Sequence, residues 1–301
     1  MQNTGDNVFE RSLCELIEST LERFFDSKDY AESSRRAIRT DLLKFGRWYI
    51  KANSEPLDWS RVVTRDIADF REHMVRVEEG SISTCNRNLI HVRQIFAWLV
   101  SDGQISSSPA KNVKELRRQS LAPKGLSRSE VRKLLREAEA RQDHRATAIF
   151  HVLLYCGLRV SELVSITHNT LELGERSGWV RVIGKGNKFR MVPVPLPARK
   201  TLEEYTEHRP PFNTDQIFVG ERGPLTDRGV RSICRRYSAI IGVRVYPHLL
   251  RHCFSKRFLE ESNNDLVALA AVLGHESLET TRRYVQREQS ELAAASELVS
   301  F

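Results

Sequence analysis

The stretch "YPHLLRHCFSKRFLE", residues 246–260, places His248, Arg251 and His252 within five residues, directly after a proline. Pro247 suits the first position of a helix, where a missing N–H leaves no bond unmade. With each residue turning the helix by about 100°, His248, Arg251, His252 and Ser255 share one face. Leu250, Phe254 and Phe258 share the other, which is expected to lie against a core. Two imidazoles, a guanidinium and a hydroxyl therefore gather away from the apolar side. Such a face is either solvated or a site for an anion.

Working outward, the flanking segments read as helices broken by glycines. "ATAIFHVLLYCG" is an apolar helix stopped by Gly157, and "NDLVALAAVLG" is another stopped by Gly274. "LSRSEVRKLLREA" opens with Ser127 and Glu130 at capping-box spacing. "TDRGVRSICRRYSAII" and "SLETTRRYV" also carry helical spacing. "GWVRVIGKGNKFRMVPVP" differs: Val180 and Val182, then Met191, Val192 and Val194, flank a Gly-Lys-Gly-Asn turn, a β-hairpin signal. "QSELAAASELVSF" is an amphipathic tail segment.

The N-terminal part is helical throughout. "NVFERSLCELIESTLERFF" repeats apolar residues at Val8, Phe9, Leu13, Leu16, Ile17, Leu21 and Phe24. "SSRRAIRTDLLKFGRWYI" starts with serine caps and turns Ile38, Leu42 and Phe45 inward. A third helix opens at Thr64 and a fourth covers "SISTCNRNLIHVRQIFAWLV". The basic run "AKNVKELRRQSLAPKG" reads as a linker. The expected organisation is a helical domain over 1–112, a linker over 113–124 and a second domain over 125–301. The fold class is mainly α with a small β-hairpin or sheet, α+β.

The chain has 301 residues, 40% hydrophobic and 29% charged, with a formal net charge of +8. Residues 1–118 carry 19 Lys+Arg against 18 Asp+Glu, and the remainder 28 against 21, so the excess lies in the second domain. That balance favours a polyanionic partner. The five cysteines are scattered and form no C-x-x-C pair, the pattern of a reducing cytoplasm. The N-terminus lacks a secretory h-region, and no apolar run reaches the ~20 residues of a membrane helix.

Within the second domain, Arg159, Lys185, His248, Arg251, His275 and Tyr284 form a series suited to phosphoryl transfer at a DNA phosphodiester without a metal. Two guanidinia clamp the charge gathering on the non-bridging oxygens. A tyrosine oxygen attacks, although its pKa of about 10 demands a neighbouring base or positive charge. Lys185, at the expected hairpin tip, can protonate the departing 5′ oxygen. Singly, each has an ordinary reading: a helix-end arginine, a loop lysine, a C-cap histidine, a packing tyrosine. Together they require six coincidences of type, order and spacing. His248 and His252 have the spacing of a zinc-binding H-E-x-x-H helix, but Leu249 stands where that motif needs Glu. His252 is assigned mainly to structure, and no metal is expected.

"TAIFHVLLYCGLRVSELVSIT", "VRVIGKGNKFRMVPVP", "PHLLRHCFSKRFLE" and "VLGHESLETTRRYV" resemble the catalytic domain of the tyrosine site-specific recombinases, Xer-like proteins and mobile-element integrases or resolvases among them. The resemblance covers about residues 120–290 and, more loosely, the N-terminal domain, which it implies is a SAM-like core-binding domain. It implies that Arg159 and Arg251 hold the scissile phosphate, that Lys185 protonates the leaving oxygen and that His248 serves Tyr284 as base or acid. His275 would donate to the phosphate, Tyr284 would form a 3′-phosphotyrosyl link, and Glu162 would orient the site. No cofactor and no ATP are implied. The implied partners are double-stranded DNA with inverted-repeat core sites and a homotetramer on two such sites, with a second recombinase or accessory protein possible. The clamp implied around DNA makes Arg35, Arg36, Arg39 and Lys44 one candidate stripe, and Arg87 and Arg93 another; a solvated helix face is the competing reading. Two other functions compete: a DNA-binding regulator that kept the fold and lost the chemistry, and a type IB topoisomerase.

Overall fold

The computed structural model describes residues 3–117, 125–183 and 189–274, with side chains from Glu10 onward. The chain divides into two compact units, Met1–Ser120 and Leu121–Phe301.

The first unit holds four helices: α1 (Asn3–Asp26), α2 (Glu32–Asn53), α3 (Thr64–Arg76) and α4 (Ile82–Ser101). Each buries the stripe its periodicity marks. Leu13, Ile17, Leu21 and Phe24 of α1 meet Ile38, Leu42, Phe45 and Tyr49 of α2 and Leu89, Val92, Ile95, Phe96 and Leu99 of α4. The aromatic centre is tightly set: Phe70 meets Phe45 edge-on at 5.2 Å between centroids, and Phe96 meets Trp59 edge-on at 5.5 Å, the arrangement ring quadrupoles favour. Helix α4 lies in the expected stretch and is capped by Ser81, which accepts from the Thr84 amide. Helix α2 does not: its N-cap is Ala31, without a side-chain cap, and Ser33 and Ser34 lie inside the helix. Residues 113–117 are held to this unit. The Asn86 amide pairs with both the N–H and the C=O of Leu116, and Arg71 donates to the Lys114 carbonyl.

The second unit is built around α6 (His144–Tyr155), whose residues 146–153 are all buried. Around it lie α5 (Arg128–Ala140), α8 (Leu196–His208), α9 (Asp227–Ile241), α10 (Pro247–Glu261) and α11 (Leu266–Leu273), with a short α7 (Val160–Val164). The Ser127–Glu130 capping box forms, and the Thr226 side chain caps α9 by accepting from the Gly229 amide. A three-stranded antiparallel sheet joins β1 (Leu171–Leu173), β2 (Gly178–Ile183) and β3 (Phe189–Pro193) in that order, with Val180 opposite Leu171 and Val192. Gly178, Val180 and Val182 face inward while Trp179, Arg181 and Ile183 face outward. A two-stranded ribbon, β4 (Val219–Gly220) with β5 (Gly223–Pro224), completes the described strands.

Strand β1, helix α8 and the ribbon add to what the sequence patterns mark. The polar face of α10 is also corrected in one respect. Arg251, His252 and Ser255 are buried at 3%, 6% and 0% exposure, so this face turns into the protein, and His248 alone of the four is exposed. Among the described residues, no helix is long and apolar enough to cross a membrane.

Candidate active site

Glu162 organises the site. It lies on α7, whose N-cap is Arg159, and its carboxylate caps the helix by accepting from the Arg159 amide at 2.7 Å. The same carboxylate accepts from Arg159 Nη1 at 2.8 Å and from Arg190 Nη1 and Nη2, each at 2.9 Å. Arg251 Nη1 stands 3.7 Å from Glu162 Oε2. Three guanidinia thus face one carboxylate that is only 5% exposed. Burial by itself would raise the Glu162 pKa. Hydrogen bonds from Arg190 and the Arg159 amide, with the charges of Arg190 and Arg159, outweigh it and hold the carboxyl below its ordinary range. The ionised cluster keeps a surplus of positive charge, a standing attraction for an anion.

The same arginines close the end of α11. Arg190 Nε donates to the Val272 carbonyl at 2.9 Å, Arg251 Nη2 to Leu273 at 3.0 Å, and Arg159 Nη2 reaches Gly274 at 3.5 Å. These carbonyls carry the negative end of the helix dipole, where cations are favoured. Gly274 ends the helix at φ +64°, in the left-handed region open to glycine. Arg251 Nη1 also donates to the Gly157 carbonyl at 2.6 Å, tying α10 to the turn after α6.

Arg159, Glu162 and Arg251 are therefore brought together. Arg159 is 41% exposed in its side chain, while Arg251 is 4% exposed. His248 begins α10 one turn before Arg251, exposed. His252 is buried on the same helix. Lys185, His275 and Tyr284 lie outside the described residues. Arg190 is a functional-site candidate absent from the sequence-derived series. Its signal is a charge in phase with the inward-facing Val192 on a strand of period two, where an apolar residue is the ordinary occupant. Among the described residues, no group of three or more His, Cys, Asp or Glu is placed to hold a metal.

In the first unit, the candidate DNA-facing cations all have intramolecular partners. On α2, Arg35 donates to the Tyr30 carbonyl and lies over the Phe25 ring, Arg36 stands 3.8 Å from Glu32, Arg39 pairs with Glu18, and Lys44 pairs with Glu78. On α4, Arg93 bonds Glu115 and the Val113 carbonyl. Arg87 is different in kind. It is bidentate to the buried Asp41, at 2.9 and 2.8 Å, while half its side chain remains exposed. Asp41 also meets His91 Nδ1 at 2.7 Å.

The family model described as "Phage integrase family" matches residues 124–291, and that of the "Phage integrase, N-terminal SAM-like domain" matches residues 17–103. The first spans more than half of the chain, and the chain belongs to the phage integrase family. As a class it is a tyrosine recombinase, an enzyme of DNA cleavage and rejoining in site-specific recombination. Among curated proteins it is 32% identical over 281 residues to the tyrosine recombinase XerD of Yersinia pestis, covering 89% of this chain and 91% of the relative. To the tyrosine recombinase XerC of Thermodesulfovibrio yellowstonii it is 33% identical over 263 residues, covering 83% and 84%. Among solved structures, XerH bound to palindromic difH substrate in a post-cleavage complex superposes with a TM-score of 0.74 at 20% identity, covering 95% of this chain and 84% of that one. The Tn1549 transposon integrase with a circular intermediate DNA superposes at 0.76 and 18% identity, covering 95% and 98%. These structural likenesses carry the fold.

Proposed function

We propose that this chain cuts and rejoins DNA at specific inverted-repeat sites through a 3′-phosphotyrosyl intermediate, with Tyr284 as nucleophile and Arg159 and Arg251 as the phosphate clamp. The supporting observation is the convergence of Arg159 and Arg251 on Glu162 beneath a surplus of positive charge. In the forward step the Tyr284 oxygen bonds to phosphorus and the bond to the 5′ oxygen breaks. The phenol proton passes to His248, and Lys185 supplies a proton to the departing oxygen. His275 donates a hydrogen bond to a non-bridging oxygen. Guanidinia supply the charge stabilisation in the transition state. Rejoining reverses each transfer. The phosphodiester energy stays in the phosphotyrosine, so neither ATP nor a metal enters the balance.

Four copies on two sites, exchanging one strand pair at a time through a Holliday junction, would complete recombination, with or without a second recombinase or accessory protein. The tail from residue 290 onward, apolar along one face by its spacing, is the element proposed to dock on a neighbouring copy. Removing residues 290–301 should then weaken assembly on paired sites and spare binding to a single site; equal loss of both in gel shifts counts against docking in trans. The free cysteines agree with work in the cytoplasm.

Arg35, Arg36, Arg39, Lys44, Arg87 and Arg93 are proposed to face DNA. Exposed ion pairs contribute little to stability, so Arg36 and Arg39 can exchange a carboxylate for a phosphate at small cost. Arg87, held flat by Asp41, is set in advance for a planar contact.

The direct test is covalent trapping. The protein is incubated with a nicked suicide DNA substrate, beside Tyr284→Phe, without divalent metal. A protease-sensitive protein–DNA adduct that vanishes in the variant is expected. Tight specific binding with no adduct would favour a DNA-binding regulator instead.

A further inference from the structure

We propose that Arg190 is a positioning residue of the recombinase active site: by gripping both oxygens of Glu162 together with the Val272 carbonyl, it turns the carboxylate so that Arg159 keeps donors for the scissile phosphate. The inference rests on the recombinase reading above.

Three observations carry it. First, Arg190 engages both Glu162 oxygens in parallel and spends its Nε on Val272, so its planar donors are matched to two partners at once. Second, Arg159 by contrast gives Glu162 a single side-chain bond, through Nη1, and among the described residues its Nη2 has only a 3.5 Å contact, while the side chain stays 41% exposed. Were Arg190 absent, the carboxylate would be free to turn and take Arg159 in a bidentate grip, drawing it from the anion. Third, the space is reserved: a Cβ on Gly274 would stand 2.8 Å from Arg190 Nη1.

The place in the chain matters as well. Arg190 follows Lys185 by five residues, and Val272 precedes His275 by three. One guanidinium therefore ties strand β3 to the end of α11, the two segments that continue into Lys185 and His275. A lysine would keep the charge but present its donors from one nitrogen, which does not reproduce the fork.

An ordinary stabilising ion pair is the competing role. The groups within ion-pairing distance of Glu162 among the described residues are Arg159 on the α7 cap, Arg190 on β3 and Arg251 on α10. Arg190 pulls the carboxyl down, so its contribution is full above the ordinary value of 4.5 and fades as pH falls below it.

The experiment uses full-length Arg190→Lys and Arg190→Gln. Three readouts are taken: single-turnover adduct formation on the suicide substrate, single-site binding, and urea midpoints from pH 7 to pH 3. Adduct formation is expected to slow by about 100-fold in both variants, the scale of an ångström-level misplacement, with binding little changed. The gap in urea midpoint between wild type and Arg190→Gln should shrink as pH falls below 4.5. A wild-type rate in Arg190→Lys would overturn the proposal, since charge alone would then suffice. So would a loss of rate matched by an equal loss of binding. Absence of an adduct in wild type would reject the recombinase reading instead; a gap independent of pH would then overturn Arg190's hold on Glu162.

Discussion

The carbonyl of Gly157 accepts a 2.6 Å hydrogen bond from Arg251 Nη1, and only glycine fits at that position. Its φ is +63°, and a Cβ there would overlap the Phe254 ring. The turn that ends α6 is thus shaped by the same helix, α10, that carries Arg251.

Gly157→Ala is accordingly expected to destabilise the protein by about 2–4 kcal/mol, combining the left-handed penalty with overpacking. Because Phe254 and Arg251 belong to one helix, displacing the ring should also disturb the guanidinium. Urea unfolding measures the first effect. Adduct formation by the folded fraction measures the second, and unchanged values of both would show that the turn relaxes freely.

Glu162→Gln removes the buried carboxylate from among three guanidinia. Breaking a buried ion pair this way costs about 3–5 kcal/mol. The sign with pH follows from the lowered Glu162 pKa. Wild type gains its advantage above 4.5 and loses it as pH falls through the depressed folded value. Urea midpoints should therefore diverge at pH 7 and converge toward pH 3. A difference that stays constant would mean that Glu162 ionisation is not linked to folding.

Arg36 and Arg87 should behave differently on DNA. Arg36→Ala is expected to weaken binding about equally on all sequences and to lower the salt slope by about 1, the signature of one phosphate contact. Arg87→Ala is expected to cost about 1–3 kcal/mol on the preferred site and to relax its sequence preference. Titrations across a salt series on specific and random duplexes separate the two. Equal effects on both duplexes would assign Arg87 to the phosphate backbone.

Lys185→Ala should slow cleavage of ordinary DNA and recover on a substrate with a 5′-bridging phosphorothiolate, whose leaving group needs no proton. Single-turnover rates on the two substrates supply the comparison. Failure to recover would remove Lys185 from the role of general acid.

Much of the architecture is local in origin and could be read along the chain. The four N-terminal helices follow from apolar spacing. Ser81, Ser127 and Thr226 each cap the helix they precede, and Gly274 ends α11 in the conformation it permits. The hairpin strands follow from alternation about Val180 and Val192. Arg159 and Arg251 could be named as candidates from residue type, order and spacing, because the chemistry of a phosphodiester restricts which groups serve it, and Glu162 from the resemblance to the recombinase family.

Other features depended on contacts between distant parts of the chain. Helical spacing grouped Arg251, His252 and Ser255 on one face but said nothing of what covers it, and that face is buried. Serine chemistry marked Ser33 and Ser34 as caps, whereas α2 begins at Glu32 and runs through them. Arg190 shows the limit most plainly. Its partners lie 28 and 82 residues away, at Glu162 and Val272. Backbone preferences and side-chain periodicity act over a few residues, so sequence by itself determined the helices and the hairpin strands and marked the reactive groups as candidates. The sharing of one buried carboxylate by three arginines was decided only when folding brought α7, β3, α10 and α11 together.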